Sequence, residues 1–426
     1  MRALTDTAFL SLLFPAALLC SLLFRHFFGE RGAKAVLIVA GLFGVYLSDG
    51  LTAWLPGIMI VLTCVLAAVP GKTGERAKKI WGGLCCLLFA GMRILHVSGT
   101  AGFAFLVVEI VICCFSGESC LSGKRDAFDT ALCLTFFPAY TSGPVRKTGA
   151  FRFITSPDAL SLEEGLWRIC IGMGKKMLIA ENIYCLTAAG GAAGSALGGM
   201  LVFLFSALYV YYDFSGYTDI ALGMAKCLGF PLPENFNQPF RALSVRDFWR
   251  RWHIPLSSFL RDYVYIPLGG SRKGNARAVI STLAVFGATV LWHGLTLPYL
   301  LFGLWHALFV ILEQRNLLKT KTWPRFLRRI YTLWVVLTGF VFFLCPDASA
   351  ILRFLSPGCI VGAAAVSVLS PVTVLSALMA IGLIFFEERL FRVRGIKGTL
   401  LCALILLLSL MHRVGAGYMP FLYGGF

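Results

Sequence analysis

Charge is scarce in this sequence: Asp, Glu, Lys and Arg make up 14% of its 426 residues, against roughly a quarter in a soluble domain. That scarcity excludes a soluble protein. Disorder is excluded too, since a disordered chain is poor in apolar residues and this one is 58% apolar with 36 Phe. The signatures of soluble enzymes are missing in turn. The 14 Cys form no C-x-x-C pair, and there is no H-E-x-x-H and no His/Cys cluster. Nothing therefore points to a metal, and the cysteines read as small buried apolar side chains rather than disulfides. Gly71-Lys72-Thr73 resembles the end of a phosphate-binding loop, but Leu66 stands where its first Gly is required. Ala193 breaks the G-x-S-x-G elbow around Ser195. Acids are the scarcer charge, 21 against 38 Lys plus Arg, for a net +17. In so apolar a chain the excess marks cytoplasmic loops against anionic lipid, not a nucleic-acid surface.

What is abundant is uncharged sequence. Such runs cover 7–24, 35–48, 50–71, 80–92, 94–108, 182–212, 278–312, 330–346, 354–386 and 398–412. At about 20 residues per crossing, they predict an all-α polytopic membrane protein with roughly ten to eleven transmembrane helices in a single integral membrane domain, 1–426. The run 7–24 lacks a basic leader beyond Arg2 and precedes further spans, so it reads as a retained helix. The run 278–312 is long enough for two crossings that turn near Leu297-Pro298. The stretch 190–199 contains overlapping G-x-x-x-G spacings, which suit either a close helix–helix contact or a flexible external loop.

Basic residues set the orientation. Loop 25–34 carries Arg25, Arg31 and Lys34, and loop 72–79 carries Lys72, Arg76, Lys78 and Lys79. Both belong in the cytoplasm, which leaves the N-terminus outside. Lys124-Arg125 and the cluster 146–152 need the same side. The segment 130–143 between them, ending at Ser142-Gly143-Pro144, then reads as re-entrant. Residues 241–277 depart furthest from a plain bundle. Arg241, Arg246, Arg250, Arg251, Arg261, Arg272, Lys273 and Arg277 face only Asp247 and Asp262 there, with Phe248, Trp249, Trp252, Phe259, Tyr263 and Tyr265 interleaved. That mixture suits helices lying at the membrane interface, with Arg reaching headgroups or an anionic ligand.

Six His occur: His26, His96, His253, His293, His306 and His412. His293, in Trp292-His293-Gly294, lies within a long uncharged run, where an ionisable group is either hydrogen-bonded to a neighbouring helix or functional. An imidazole is also the natural base for a hydroxyl. His306 reads as structural, and His26, His96 and His412 lie near span ends. His253 follows Arg250-Arg251-Trp252 and is either interfacial or a second candidate. Asp213 and Asp219 bracket Phe214-Ser215-Gly216-Tyr217 at the end of a span; they either pair with the Arg cluster or shape a polar tunnel.

Within 212–306 a set of ordered motifs stands out. Asp213-Phe214-Ser215-Gly216-Tyr217-Thr218-Asp219 is followed by Pro233-Glu234-Asn235-Phe236-Asn237-Gln238-Pro239-Phe240 and by Asp247-Phe248-Trp249-Arg250-Arg251-Trp252-His253. Arg261-Asp262-Tyr263, Ile266-Pro267-Leu268-Gly269-Gly270 and Trp292-His293-Gly294 complete the set. Together they resemble the membrane-bound O-acyltransferase (MBOAT) family, in its bacterial polysaccharide branch. The stretch 250–274 is similar to the alginate O-acetylating subunits, and 137–144 is nearer the teichoic-acid D-alanylating ones. The ending Tyr423-Gly424-Gly425-Phe426 departs from the family pattern.

The resemblance implies helices around a central funnel, with re-entrant and interfacial helices, in the bacterial plasma membrane. It places the catalytic His at His293 and the second functional His at His253. Trp292, Arg251, Arg261, Asp213 and Asn237 become substrate-binding positions. The donor would be an acyl-CoA or acyl-phosphopantetheine thioester from the cytoplasm, with no permanently bound cofactor and no metal. The partners would be membrane lipids, an acyl-carrier protein, an extracytoplasmic acyltransferase-like protein and a glycan acceptor. The acyl group would be acetyl, with D-alanyl the alternative. A transporter or flippase of an acyl or glycan intermediate is the reading from another class, although no internal repeat supports it.

Overall fold

The structure, a computed structural model, describes residues 12–95, 97, 101–116, 127–140, 143–146, 158–184, 187, 196–355, 370–391 and 395–416. All regular secondary structure among them is helical. Five helices are long and apolar enough to cross a membrane: Phe14–Asp49, Asn275–His293, Leu297–Gln314, Arg325–Leu344 and Gly395–Gly415. Trp54–Ala68, Gly102–Phe115, Phe128–Ala139 and Pro371–Glu387 are apolar but shorter. The described residues thus supply five of the ten to eleven spans expected. His96, Ser142, residues 190–195 and the C-terminal motif 421–426 lie outside the described residues. The chain divides into two compact units, one of 1–173, 216–234 and 416–426, the other of 174–215 and 235–415.

In the first unit, two stretches expected to be loops are helical. The helix Phe14–Asp49 runs through 25–34 and breaks only at Gly29, whose φ of 67° suits a residue without a Cβ. The helix Gly71–Ile94 includes 72–79, and Lys78 is buried there with its Nζ 2.9 Å from Glu75. Lys, Arg and Glu are good helix formers, so charge marks contact with water or a partner rather than the end of a helix. The short helix Ala127–Thr135 stops before a 3₁₀ turn at Phe137–Ala139. Its nine residues rise only about 13 Å, too little for a crossing.

Arg146 was grouped with a cytoplasmic basic cluster, but it is 2% exposed and grips Glu109 through two bonds, Nε–Oε1 at 2.7 Å and Nη2–Oε2 at 2.5 Å. Glycines set one close helix contact in this unit. A Cβ at Gly172 would lie 2.5 Å from the Gly216 carbonyl oxygen, and one at Gly223 would lie 2.5 Å from that of Gly165. Heptad-spaced pairs on 159–173 and 216–227 therefore let two backbones touch. The cysteines described as free thiols include buried Cys85, Cys113, Cys114, Cys133 and Cys227, but Cys170 is disulfide-bonded, against the expectation.

In the second unit, the run 278–312 forms two helices, Asn275–His293 and Leu297–Gln314, reversing at Gly294–Thr296 as the sequence suggests. Gly294 has a φ of 136°, which only glycine adopts without strain, and its N–H caps Val290 at 2.8 Å. The helix Arg325–Leu344 follows, tied to its predecessor by the Trp305 indole, which donates to the Val335 carbonyl at 2.8 Å. Each of these three helices is 18 to 20 residues long, about 27–30 Å. The ends at Asn275, Gln314 and Arg325 lie together, with Thr282 Oγ1 3.1 Å from Gln314 Oε1. His293, Tyr299 and Phe343 mark the other end, with the His293 ring 5.7 Å from Tyr299 and 4.9 Å from Phe343.

Candidate active site

Two histidines of the second unit occupy contrasting backbone positions. His293 is the last residue of its helix, close to the turn expected near Leu297-Pro298. Its side chain is 7% exposed, and Phe302, Tyr299 and Phe343 surround it. Trp292 beside it is equally buried. The aligned peptide dipoles leave partial negative charge at this helix C-terminus, beside the His293 ring.

His253 sits between two seven-residue helices, Val245–Arg251 and Ile254–Leu260, in a left-handed conformation with φ 45° and ψ 53°. Non-glycine residues seldom adopt it, and such strain persists only where surrounding contacts over-determine the backbone. Those contacts are present. Asn237 N–H donates to the Arg251 carbonyl at 3.0 Å, and Ile254 N–H donates to the Asn235 carbonyl at 2.9 Å. Two of the sequence motifs are thereby laced together by their backbones. The His253 ring meets Phe214 edge-on at 4.8 Å, and Phe214 meets Phe236 at 5.1 Å.

Trp252 stacks near Phe236, Phe248 and Phe340, and Phe340 reaches Phe343 at 6.1 Å. An unbroken series of aromatic rings thus runs from Trp252, next to His253, to Phe343 at His293. Burial pushes the His253 imidazole down to about 3, so it is neutral at working pH. The neutral His253 ring keeps one N–H donor and one acceptor nitrogen.

The sign of the His253 shift predicts an acid-labile fold. Above its ordinary value of 6.5 the ring is neutral in both folded and unfolded chains. As pH falls towards 3 only the unfolded chain takes up the proton, so stability rises with pH across that window. The thermal midpoint of the protein in detergent is expected to drop between pH 7 and pH 5, and His253→Gln is expected to flatten that slope. An unchanged slope in the variant would remove His253 as its source.

The other candidates are distributed unevenly. Arg251 is engaged within the fold, its Nε 3.0 Å from Asp247 and its Nη1 3.3 Å from the Asn237 carbonyl. Arg261 is far more open, its side chain 61% exposed beside Asp262. Asn237 contributes its backbone while its side chain is exposed; the neighbouring Asn235 is the fully buried amide. Asp213 and Asp219 do not end a span, because the helix Ala196–Cys227 continues past both. Each is held by a cation outside 241–277: Asp213 is fully buried 2.5 Å from Lys176, and Asp219 lies 2.9 Å from Arg168.

Among the aromatics of 241–277, Phe248 and Trp252 are almost fully buried and the other four half-buried. A third acid, Glu313, accepts from the backbone N–H of Val245 at 2.8 Å and of Arg246 at 3.2 Å. Its only sequence signal is a lone acid near the end of an apolar run. His306 is structural: it is fully buried, its Nδ1 lies 2.9 Å from the Phe302 carbonyl, and it fills space that a Cβ at Gly339 would occupy. His26 is exposed, and His412 lies 3.1 Å from Glu181.

Comparison with known proteins fits this arrangement. Residues 197–354 match the MBOAT, membrane-bound O-acyltransferase family. Both histidines, the aromatic series and the three helices from Asn275 to Leu344 fall inside the matched residues. The chain is 34% identical over 267 residues to a probable alginate O-acetylase AlgI of Pseudomonas fluorescens, covering 59% of this chain and 52% of that protein. It is 32% identical over 240 residues to a peptidoglycan O-acetyltransferase of Helicobacter pylori, covering 53% and 46%. It is 30% identical over 234 residues to a teichoic acid D-alanyltransferase of Bacillus subtilis, covering 49% and 59%. The chain thus spans about half the length of the curated relatives it matches.

Proposed function

We propose that this chain is a membrane-bound O-acyltransferase that carries an acyl group, acetyl in the first instance, from a cytoplasmic thioester to a hydroxyl of an exported polysaccharide. The observation that carries the reading is His293, buried among aromatic rings at a helix C-terminus inside the MBOAT segment. His293 takes the proton of the acceptor hydroxyl as its oxygen attacks the thioester carbonyl. The tetrahedral intermediate collapses, the C–S bond breaks, and His293 returns the proton to the leaving thiolate. The products are an ester and a free thiol, with no net proton exchanged. Neutral His253 assists by hydrogen bonding, and Trp292 and its aromatic neighbours exclude water that would hydrolyse the thioester.

Charge asymmetry supports a cytoplasmic donor side. Arg272, Lys273, Arg277, Arg315, Lys319, Lys321, Arg325, Arg328 and Arg329 gather where Asn275, Gln314 and Arg325 lie together, whereas Asp347 is the nearest charge beyond the His293 end. By the positive-inside rule the first end is cytoplasmic and the His293 end faces the acceptor. This orientation goes with an N-terminus outside the bacterial plasma membrane. The exposed Arg261 guanidinium suits a donor phosphate, while Arg251 and Asn237 hold the His253 backbone.

The deciding experiment follows thiol release by the protein in neutral detergent. Acetyl-coenzyme A, or a D-alanyl carrier protein, is supplied with and without a glycan acceptor. Acceptor-dependent release, matched one for one by ester formed, supports transfer, and the donor accepted separates acetylation from D-alanylation. No thiol release with either donor would favour the transporter reading. Arg261→Ala is expected to raise KM for the donor about tenfold, roughly the worth of one charge-assisted phosphate contact, without changing KM for the acceptor. Equal constants in variant and wild type would leave Arg261 as a lipid anchor.

A further inference from the structure

Just before the MBOAT segment, the chain places two adjacent lysines in an apolar stretch. Lys175 and Lys176 are 3% and 0% exposed and belong to a π-helical turn, Gly174–Ala180. Such turns are found frequently at functional sites. The turn is braced, since the Leu178 carbonyl accepts from Asn182 Nδ2 at 2.9 Å and from Ser376 Oγ at 2.8 Å. Each lysine holds an acid of a different helix. Lys175 pairs with Glu387, and Lys176 lies 2.5 Å from Asp213 and 3.5 Å from Glu181.

Both pairs converge on one turn of the helix Ala196–Cys227. Tyr211 donates its hydroxyl to Glu387 at 2.7 Å, Tyr212 donates to the Ala380 carbonyl at 2.5 Å, and Asp213 is held by Lys176. Three consecutive side chains are therefore pinned at separate places. The rings of that turn face the His253 loop. Tyr211 packs on Phe236, Phe240 and Trp252, and Phe214 lies against His253 itself. Two buried ion pairs are costly to desolvate and offer little stability for it, so their use is better sought in what they hold in place.

We propose that Lys175 and Lys176 are positioning residues for His253, fixing through Glu387 and Asp213 the Tyr211–Phe214 turn against which the imidazole is set. This rests on the transferase reading for its effect on turnover, but not for its effect on geometry. Asp213 accordingly acts through the fold rather than by touching substrate.

The test replaces the Lys176–Asp213 pair by an apolar pair of similar volume, Lys176→Met with Asp213→Leu, while Glu181, the second acid beside Lys176, keeps His412 at 3.1 Å. Lys176→Arg is the conservative control. Tyr211→Phe, which removes a single hydroxyl, is the mild variant should the pair replacement fail to fold. Histidine modification by diethyl pyrocarbonate is mapped by mass spectrometry on folded protein, alongside kcat and KM. We expect modification of His253 to rise about tenfold in the pair replacement and two- to threefold in Tyr211→Phe. His306 should stay protected and Lys176→Arg should behave as wild type. The kcat should fall about 10- to 100-fold, the order seen when a reacting group is displaced by about an ångström, with KM nearly constant. Wild-type protection of His253 in both the pair replacement and Tyr211→Phe would overturn the proposal. Raised modification with unchanged kcat would leave the anchoring intact and overturn the part given to His253 in turnover.

Discussion

His293→Ala is expected to lower kcat by about 10² to 10⁴-fold while the protein remains folded and inserted, the usual range for removing a general base. The size of the effect follows from the chemistry. A thioester is already activated, so little covalent help is needed, but a neutral hydroxyl attacks it slowly. The position of His293 adds to its fitness, because the C-terminal end of its helix stabilises the imidazolium as it forms. The fold should survive the change, since the side chain sits at the end of its helix and packs edge-on against Phe343 and Phe302. Steady-state kinetics with a soluble acceptor, beside a size-exclusion profile in detergent, make the comparison. A folded His293→Ala protein with activity within threefold of wild type would take His293 out of the mechanism. His293→Gln, which keeps a hydrogen bond but cannot take up a proton, should be as inactive as the alanine variant.

The largest loss of stability is expected elsewhere, at Glu109. Removing it by Glu109→Ala leaves the Arg146 guanidinium, itself 2% exposed, without the carboxylate that binds it through two nitrogens. Arginine does not deprotonate to escape. Breaking one partner of a buried pair costs about 3–5 kcal/mol, a large fraction of the stability of most domains. The double replacement Glu109→Leu with Arg146→Met removes both charges and should recover most of that loss. Thermal unfolding in detergent, followed by tryptophan fluorescence, gives the comparison. A loss below about 1 kcal/mol in the single variant would be the figure for an exposed pair and would contradict this burial.

The class of fold was legible because lipid demands long uncharged runs, and 278–312 is a clear case. Its turn was readable near Leu297-Pro298, since proline interrupts a helix for steric reasons, and the reversal falls just before it at Gly294–Thr296. Helix ends were less legible. The basic residues at 25–34 and 72–79 looked like loops, yet helices run through both, since a long cationic side chain reaches water or an acid without leaving the helix. Asp213 seemed to mark the end of a span because its charge was visible and its partner was not. Lys176 lies 37 residues earlier, a pairing that exists only once two helices have packed.

His293 could be found as a lone imidazole in apolar sequence, but its place at a helix terminus depends on where the turn falls. His253 was recognisable beside a cationic patch, whereas its left-handed backbone was not, because histidine has no general preference for that region strong enough to announce it. Arg251 and Arg261 looked alike in sequence. Asp247 and the Asn237 carbonyl, brought in by the fold, are what distinguish them.

The two adjacent lysines also constrain how the chain is made. Lys176 meets Asp213 after 37 further residues, but Lys175 waits for Glu387, 212 residues downstream. At roughly 5–20 residues per second of synthesis, the first interval lasts a few seconds and the second about 10–40 s. Throughout the longer one, a nascent chain carries an ammonium group whose final counter-charge has not yet left the ribosome. A lysine in that state is costly in hydrocarbon, so the stretch around Gly174–Ala180 cannot settle early. It has to wait at the lipid–water boundary or against the translocation machinery until the helix Pro371–Leu390 arrives. Polypeptides truncated before Glu387 lack the carboxylate that Lys175 pairs with in the folded chain.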